Sequence, residues 1–352
     1  MRFSIGVFLL LLAFTSQAQL APQSLDSLVQ AEVERNQFSG IILLADNGTP
    51  IYRRAVGESS SDVAMTMETP MRLASITKAF TSVLIMQLIQ DDLLRPETTI
   101  EDILPELEIK KAHKITVRDL LLHTSGLPNE PDGLYHTPHG PREMINRTLA
   151  SQSYNKRGDF NYCNLDYMVL GLMIEKVTGK SWAEVLQIRI LDPLDMTHTG
   201  IARLGMEDIA QGYISMELDG QEVLMPEPSF HIENFYAAGA MYGTVGDLLK
   251  FDQALYSGKL LHPETIDQMY TSHPELGYVA YGSWVYDYYF LPSSPRLVER
   301  RGGILGFNHT FIRMPEVNKT LVILSNNDRF NPDTFGQLDS FKDQLIAALV
   351  EE

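Results

Sequence analysis

"LVERRGGILGFNHTFIRMPEVNKTLVILSNND", residues 297–328, reads as strand, turn, strand, turn, strand, because β-branched and aromatic runs alternate with glycine-rich or polar breaks. An amphipathic helix follows, with Phe341, Leu345 and Leu349 at helical spacing. Near the other end, "SGIILLADNGTPIYRRAVG", residues 39–57, holds two more β-rich runs around Asp46-Asn47-Gly48, a hairpin signal. Between these ends the pattern changes. From about residue 100 to 235 it is helical and loop-rich, with "ITVRDLLLHTSGLP" (115–128) and "DYMVLGLMIEKVTG" (166–179) the clearest helical segments. Gly126, Pro128 and Gly179 punctuate their ends. "AAGAMYGTVGDLLKFDQAL" (237–255) starts another helix, and "PNEPDGLYHTPHGP" (128–141) reads as a long ordered loop or cleft wall.

Strands at both ends with helices between them predict an α/β (α+β) fold in which one antiparallel sheet, flanked by helices, is built from both chain ends. The expected sheet lobe spans about 25–100 and 236–352, and the inserted, mainly helical lobe about 101–235. Residues 1–18 read as a signal peptide: Arg2, an apolar run from Ile5 to Phe14, then a small-residue site ending at Ala18. The apolar run is short for a bilayer span, and no later segment approaches the roughly 20 apolar residues a spanning helix needs. The expectation is an exported protein of residues 19–352, periplasmic or secreted, with no transmembrane anchor.

The 352 residues carry a formal net charge of −17, which disfavours nucleic acid and anionic membranes as partners. The partner expected is a small-molecule or short-peptide substrate; oligomeric state stays open. Cys163 is the lone cysteine, so no intramolecular disulfide is possible.

Ser75 and Lys78 stand three apart at the mouth of an apolar helical run, "MRLASITKAFTSVLIMQLI" (71–89). A serine hydroxyl needs an adjacent base to act as a nucleophile near neutral pH, and a lysine whose pKa is lowered can supply one. Positions i and i+3 share a helix face, and the helix N-terminus adds a positive field suited to an oxyanion. The pair reads equally as a capping serine and a solvated lysine, and a second S-x-x-K at Ser153 and Lys156, in polar "SQSYNKRGD", reads as chance. Tyr162 and Asn164 form the Y-x-N of "GDFNYCNLDYMVLG" (158–171). A phenol near a lysine can shuttle a proton, and an asparagine amide can hold both the lysine and a substrate; the alternative is a core tyrosine and a capping asparagine.

"RLASITKAFTS", "LLLHTSGLP", "FNYCNLDYMVLGLMIEKVTG", "ILDPLDMTHTG", "AAGAMYGTVGDLLKF" and "GGILGFNHTF" follow one another in an order that resembles the serine β-lactamase and penicillin-binding-protein-like hydrolases, in particular the class C β-lactamase, D-alanyl-D-alanine peptidase and esterase branch. The resemblance runs from about residue 25 to 348. It implies a β-lactamase/transpeptidase-like fold and no cofactor. It also implies Ser75 as the acylated nucleophile, Lys78 and Tyr162 sharing the acid/base work, and Asn164 positioning Lys78 and the substrate. His123 would be structural, Cys163 a packed thiol, and the backbone N–H groups of Ser75 and Gly303 an oxyanion hole. Where relatives carry K-T-G or H-x-G, this chain has Arg300, Arg301 and Gly302. Arginine keeps the charge and can grip a carboxylate with a planar fork, but it cannot give up a proton. The expectation is that Arg300, Gly302 and Gly303 line the substrate site, that one of the two arginines faces the cleft, and that β-lactam turnover is weakened. An esterase or D-amino-acid peptidase follows, with a β-lactamase or a non-catalytic cell-wall peptide or ligand binder as alternatives.

Other patterns carry less. "VTGKS" lacks the first glycine of a phosphate-binding loop and closes a helix, His136 and His139 have no convincing further metal ligands, and no G-x-S-x-G elbow is present.

Overall fold

The computed structural model describes residues 22–350; the signal-peptide reading of residues 1–18 lies outside them. In chain order the elements that build the site's frame are α1 (Pro22–Asn36), β1 (Gly40–Asp46), β2 (Thr49–Val56), α2 (Thr77–Gln90), α3 (Asn164–Thr178), α4 (Val245–Tyr256), β3 (Val279–Ala280), β4 (Ser283–Asp287), β5 (Arg296–Ile304), β6 (Phe307–Met314), β7 (Lys319–Ser325) and α5 (Phe341–Val350). The seven strands form one antiparallel sheet in the order β3-β4-β5-β6-β7-β1-β2. Sequence order breaks once, where β1 pairs with β7, Gly40 opposite Ser325. Both chain ends therefore supply one sheet, as their patterns predict.

The central strands read as unbroken apolar runs because both of their faces are covered. Successive side chains of a strand point to opposite faces. Ile41 and Leu43 of β1, with Val322 and Leu324 of β7, join the large core under α2, α3 and α4. Ile42, Leu44, Leu321 and Ile323 join a smaller core under α1 and α5. The β1–β2 hairpin turns at Asn47 and Gly48, both at positive φ (47° and 73°), as the Asn-Gly pair predicts.

On the α5 side, Glu299 of β5 is fully buried and meets Lys342 of α5 and Arg301, each at 3.0 Å. Burial would raise this carboxyl's pKa, but the two cations outweigh it and hold the group at about 2.

The segment between β2 and α4 is mainly helix and loop, with short strand pairs joining Glu58–Ser60 to Val63–Ala64 and Met241–Gly243 to both Met71–Arg72 and Gly200–Ile201, and with one longer hairpin. Tyr213–Leu218 and Gln221–Pro226 pair as a hairpin around Asp219 and Gly220 (φ 52° and 77°). The sequence expectation there was helix and loop. The Asp-Gly pair between the runs "YISMEL" and "QEVLMP" is the local signal that marks it. No helix among the described residues is long and apolar enough to cross a membrane.

Candidate active site

A single 3₁₀ turn, Ala74–Ile76, leads into α2 and carries Ser75. Its entry is strained: Ala74 sits at φ 47°, where a residue with a Cβ is disfavoured. Nor does the Ser75 hydroxyl cap the helix. Its Oγ lies 3.2 Å from Lys78 Nζ and 2.8 Å from Tyr162 Oη.

Lys78 is fully buried, and Nζ donates to three acceptors: Ser75 Oγ, Asn164 Oδ1 at 2.7 Å and the Ala238 carbonyl at 2.8 Å. An ammonium has three donors, and here each has an acceptor. Burial lowers the lysine's pKa; Tyr162 pulls it up and Arg300 adds to the lowering.

Tyr162 precedes α3, whose first residue is Asn164. Burial by itself would raise the phenol's pKa, but the charges of Arg300 and Lys78 outweigh it and bring it down to about 8. The Asn164 amide is fixed at both ends. Its Oδ1 accepts from Lys78, its Nδ2 donates to Glu130 Oε1 at 2.7 Å, and its backbone N–H donates to Asn129.

Both arginines of the third motif are accounted for. Strand alternation sends Arg301 to Glu299 and Asp333 and Arg300 to the opposite face. Arg300 does not turn its fork outward for a substrate carboxylate, as the sequence suggested. It is 3% exposed, donates from Nε to the Ser75 carbonyl (2.7 Å) and from Nη2 to Tyr162 Oη (2.6 Å), and lies 5.2 Å from the centre of the Trp284 ring. Its long side chain reaches back to the Ser75 turn, because β5 runs directly against that turn. Gly302 marks the contact: a Cβ there would stand 2.4 Å from the Leu73 carbonyl, so no other residue fits unmoved. Gly303 follows on the same strand, opposite Asn308.

Beneath the Tyr162 ring lies His123, 4.5 Å away between ring centres. His123 Nδ1 is 3.1 Å from Asp166 Oδ2, and Ser125 Oγ donates to Asp166 Oδ1 at 2.5 Å. Burial, helped by Lys78 and Arg300, holds His123 well below its usual pKa, and burial raises Asp166 well above the carboxylate range. Burial thus disfavours the charged form of both groups, and His123 packs under the site without a hydrogen bond to Ser75. Cys163 donates its thiol to the Pro128 carbonyl and is buried, which raises its pKa. The second S-x-x-K stands apart: Lys156 is exposed and pairs with Asp159.

Ser75, Lys78, Tyr162 and Asn164 are thus joined by direct hydrogen bonds, with Arg300 and Gly302 against them. Sequence reasoning missed Glu130, Trp284 and the Ala238 carbonyl. Glu130 stands two residues beyond "GLP", in a stretch that reads only as a long ordered loop or cleft wall. A carbonyl leaves no mark in a sequence.

Residues 25–340 match the Beta-lactamase family. The chain belongs to that family. Among curated relatives of this Beta-lactamase-family protein are Penicillin-binding protein 4* of Bacillus subtilis (strain 168), 27% identical over 337 residues, and Protein flp of Staphylococcus aureus (strain NCTC 8325 / PS 47), 25% identical over 332 residues. The first alignment covers 86% of this chain and 71% of the relative, the second 90% and 66%. The chain thus spans about two thirds of the length of the curated relatives it matches. Its fold is that of D-amino acid amidase from Ochrobactrum anthropi SV3, solved with D-phenylalanine: TM-score 0.79 at 23% identity, covering 93% of this chain and 98% of that one.

Proposed function

We propose that this Beta-lactamase-family protein is an exported serine hydrolase that cleaves an ester or amide through an acyl-enzyme on Ser75. The observation that carries the reading is the position of Ser75 Oγ, within hydrogen-bond reach of both Tyr162 and Lys78, with the Tyr162 phenol brought down to about 8.

The two candidate bases divide the work. With all three Lys78 donors met, the lysine serves as an ammonium that holds the site together and favours the phenolate of its neighbour. Tyr162, 2.8 Å from Oγ, takes the serine proton as Oγ forms its bond to the substrate carbonyl carbon. The carbonyl π pair moves onto oxygen, where the N–H groups of Ser75 and Gly303 and the N-terminus of α2 favour the negative charge. Collapse of the intermediate breaks the bond to the leaving group, which takes the proton from Tyr162. Water then attacks the acyl-serine carbonyl as Tyr162 takes its proton, and collapse breaks the bond to Oγ, which takes that proton and returns Ser75.

Several features favour simple esters and amino-acid amides over β-lactams. Arg300 is committed to Ser75 and Tyr162, and Gly303 has no side chain to offer a ring carboxylate. The fold neighbour solved with D-phenylalanine adds support for a small amino-acid amide. Labelling by a fluorophosphonate tests the reading: wild type should be labelled at Ser75, and Ser75→Ala should lose both label and turnover while staying folded. A folded Ser75→Ala protein with substantial turnover would reject it.

A further inference from the structure

Lys156 of the second S-x-x-K lines a hollow of about 340 Å³ that the hydrolase reading leaves unused. The lining comes from two stretches distant in sequence, Lys110, Lys111 and Ile115 from one and Tyr154, Asn155, Lys156 and Arg157 from the other, together with Ser125. None of Ser75, Lys78, Tyr162, Asn164 and Arg300 lines it. These stretches are tied in place. Asn155 donates its N–H to the Gly126 carbonyl (2.8 Å) and Nδ2 to the Leu127 carbonyl (3.2 Å). Gly126, at φ 79°, approaches so closely that a Cβ there would stand 2.8 Å from the Asn155 carbonyl oxygen. The Lys110 N–H donates to Tyr154 Oη (3.1 Å), and Lys110 Nζ lies 5.2 Å from the centre of the Tyr154 ring. Lys111 takes φ 61°, a backbone state that a residue with a Cβ seldom adopts.

The charged lining is four cations and no carboxylate, on a protein whose formal net charge is −17. From outside the lining, Asp159 offsets Lys156 at 2.9 Å, and Asp119 offsets Arg157, accepting from Nε at 3.2 Å and Nη2 at 2.7 Å. Lys110 and Lys111 form no ion pair among the described residues, and neither does Lys114 on the same turn. Of the acids just before them, Glu106 pairs with Arg142 and Glu108 with no cation. Cations gathered in one concavity focus a positive potential there and favour an anion. We propose that this hollow binds a small phosphate monoester, with its phosphate held by Lys110, Lys111 and Arg157. A phosphate monoester carries about two negative charges near pH 8 and three acceptor oxygens on one compact group, which matches two unpaired lysines and the uncommitted Nη1 of Arg157. A bare ion would leave most of the space unfilled, since hollows of about 300 Å³ and more suit organic ligands, so an ester of sugar size fits better. The protein's overall negative charge repels an anionic membrane, which favours a free ester over a lipid headgroup. This site is separate from Ser75 and does not depend on the hydrolase reading.

The test is calorimetric titration of the purified protein at pH 8 in low-salt buffer free of phosphate, with glucose 6-phosphate as the probe and glucose as its uncharged counterpart. Wild type should bind one glucose 6-phosphate per chain with a Kd of about 1 mM or tighter, and glucose should give no saturable heat. Lys110→Gln combined with Lys111→Gln should weaken binding by about tenfold or more, the scale of one hydrogen bond to a charged group. Both lysines are exposed, so the fold should survive, which circular dichroism checks. Arg53→Gln combined with Arg54→Gln, which removes the same charge from exposed positions of β2, should leave the affinity unchanged. No saturable binding by wild type up to about 10 mM ester overturns the proposal without recourse to any variant. Equal weakening in the two double variants also overturns it, because net charge alone would then explain the effect. Equal affinity for succinate, a dicarboxylate, rejects phosphate as the ligand class. Loss of binding once Ser75 carries a fluorophosphonate label would put the ester in the active-site cleft instead. Recruitment to phosphatidylcholine vesicles that contain phosphatidic acid, with no binding of the free ester, would overturn the small-ligand reading.

Discussion

Replacing Arg300 by methionine removes one positive charge and keeps much of the side-chain volume, and its effect should appear in the pH profile before anything else. Arg300 Nη2 lies 2.6 Å from the Tyr162 hydroxyl. Unit charges about 4 Å apart interact by about 4 kcal/mol at an effective dielectric near 20, an upper bound here because Tyr162 is partly exposed. The usual range for a neighbouring opposite charge is about 1–3 pKa units. Burial, opposed now by Lys78 and the hydrogen bond to Ser75 alone, would push the phenol up from about 8 toward about 9–11. The base works when deprotonated, so kcat/KM should rise with pH through about 8 in wild type. In Arg300→Met that rise should move to higher pH, and at pH 7 a two-unit shift costs about 100-fold in phenolate. The loss should shrink at pH 10. Arg300→Lys keeps a charge without the fork and should fall between the two. The assay is hydrolysis of a p-nitrophenyl ester from pH 6 to 10.5, with circular dichroism confirming the fold. A folded Arg300→Met enzyme with the same rising limb as wild type would refute the argument.

Tyr162→Phe should lower acylation by roughly 10²–10⁴, the scale of one positioned acid/base group, with smaller effects on binding; pre-steady-state bursts read this directly. Gly302→Ala would drive a methyl to 2.4 Å from the Leu73 carbonyl, so turnover should fall sharply together with Tm, whereas Ser153→Ala, away from the site, should match wild type in both. Glu299, held at about 2, contributes stability that is fully present above the ordinary carboxyl value near 4.5 and is lost as pH falls toward 2. Glu299→Gln should flatten the dependence of Tm on pH in that window, and an unflattened curve would show that other groups dominate acid unfolding.

What the sequence disclosed follows from how far each signal acts. Alternation and helical spacing are local, so the runs at 39–57 and 297–328 marked the strands, and Ser75, Lys78, Tyr162 and Asn164 stood out through short spacings whose chemistry is known. The partners of the charged side chains are different, because they are decided by contacts between distant segments. Arg300 lies 225 positions from the Ser75 carbonyl it binds, and Glu130 lies 34 from the Asn164 amide. Nothing near either residue encodes those partners. The hairpin at 213–226 was readable from Asp219-Gly220, but the surrounding helical pattern masked it.

The seam between β1 and β7 sets the order in which the molecule can be completed. β1 is an interior strand, yet its neighbour on one side is made almost last, Gly40 waiting for Ser325. Until then the hairpin of β1 and β2 has only its own two strands, which are marginal alone. A chain whose central pairing spans nearly its whole length folds slowly, since loop closure must precede the contacts that repay it. During synthesis the N-terminal hairpin exposes the Ile41–Leu44 edge to other chains, and refolding yields should therefore drop steeply with protein concentration.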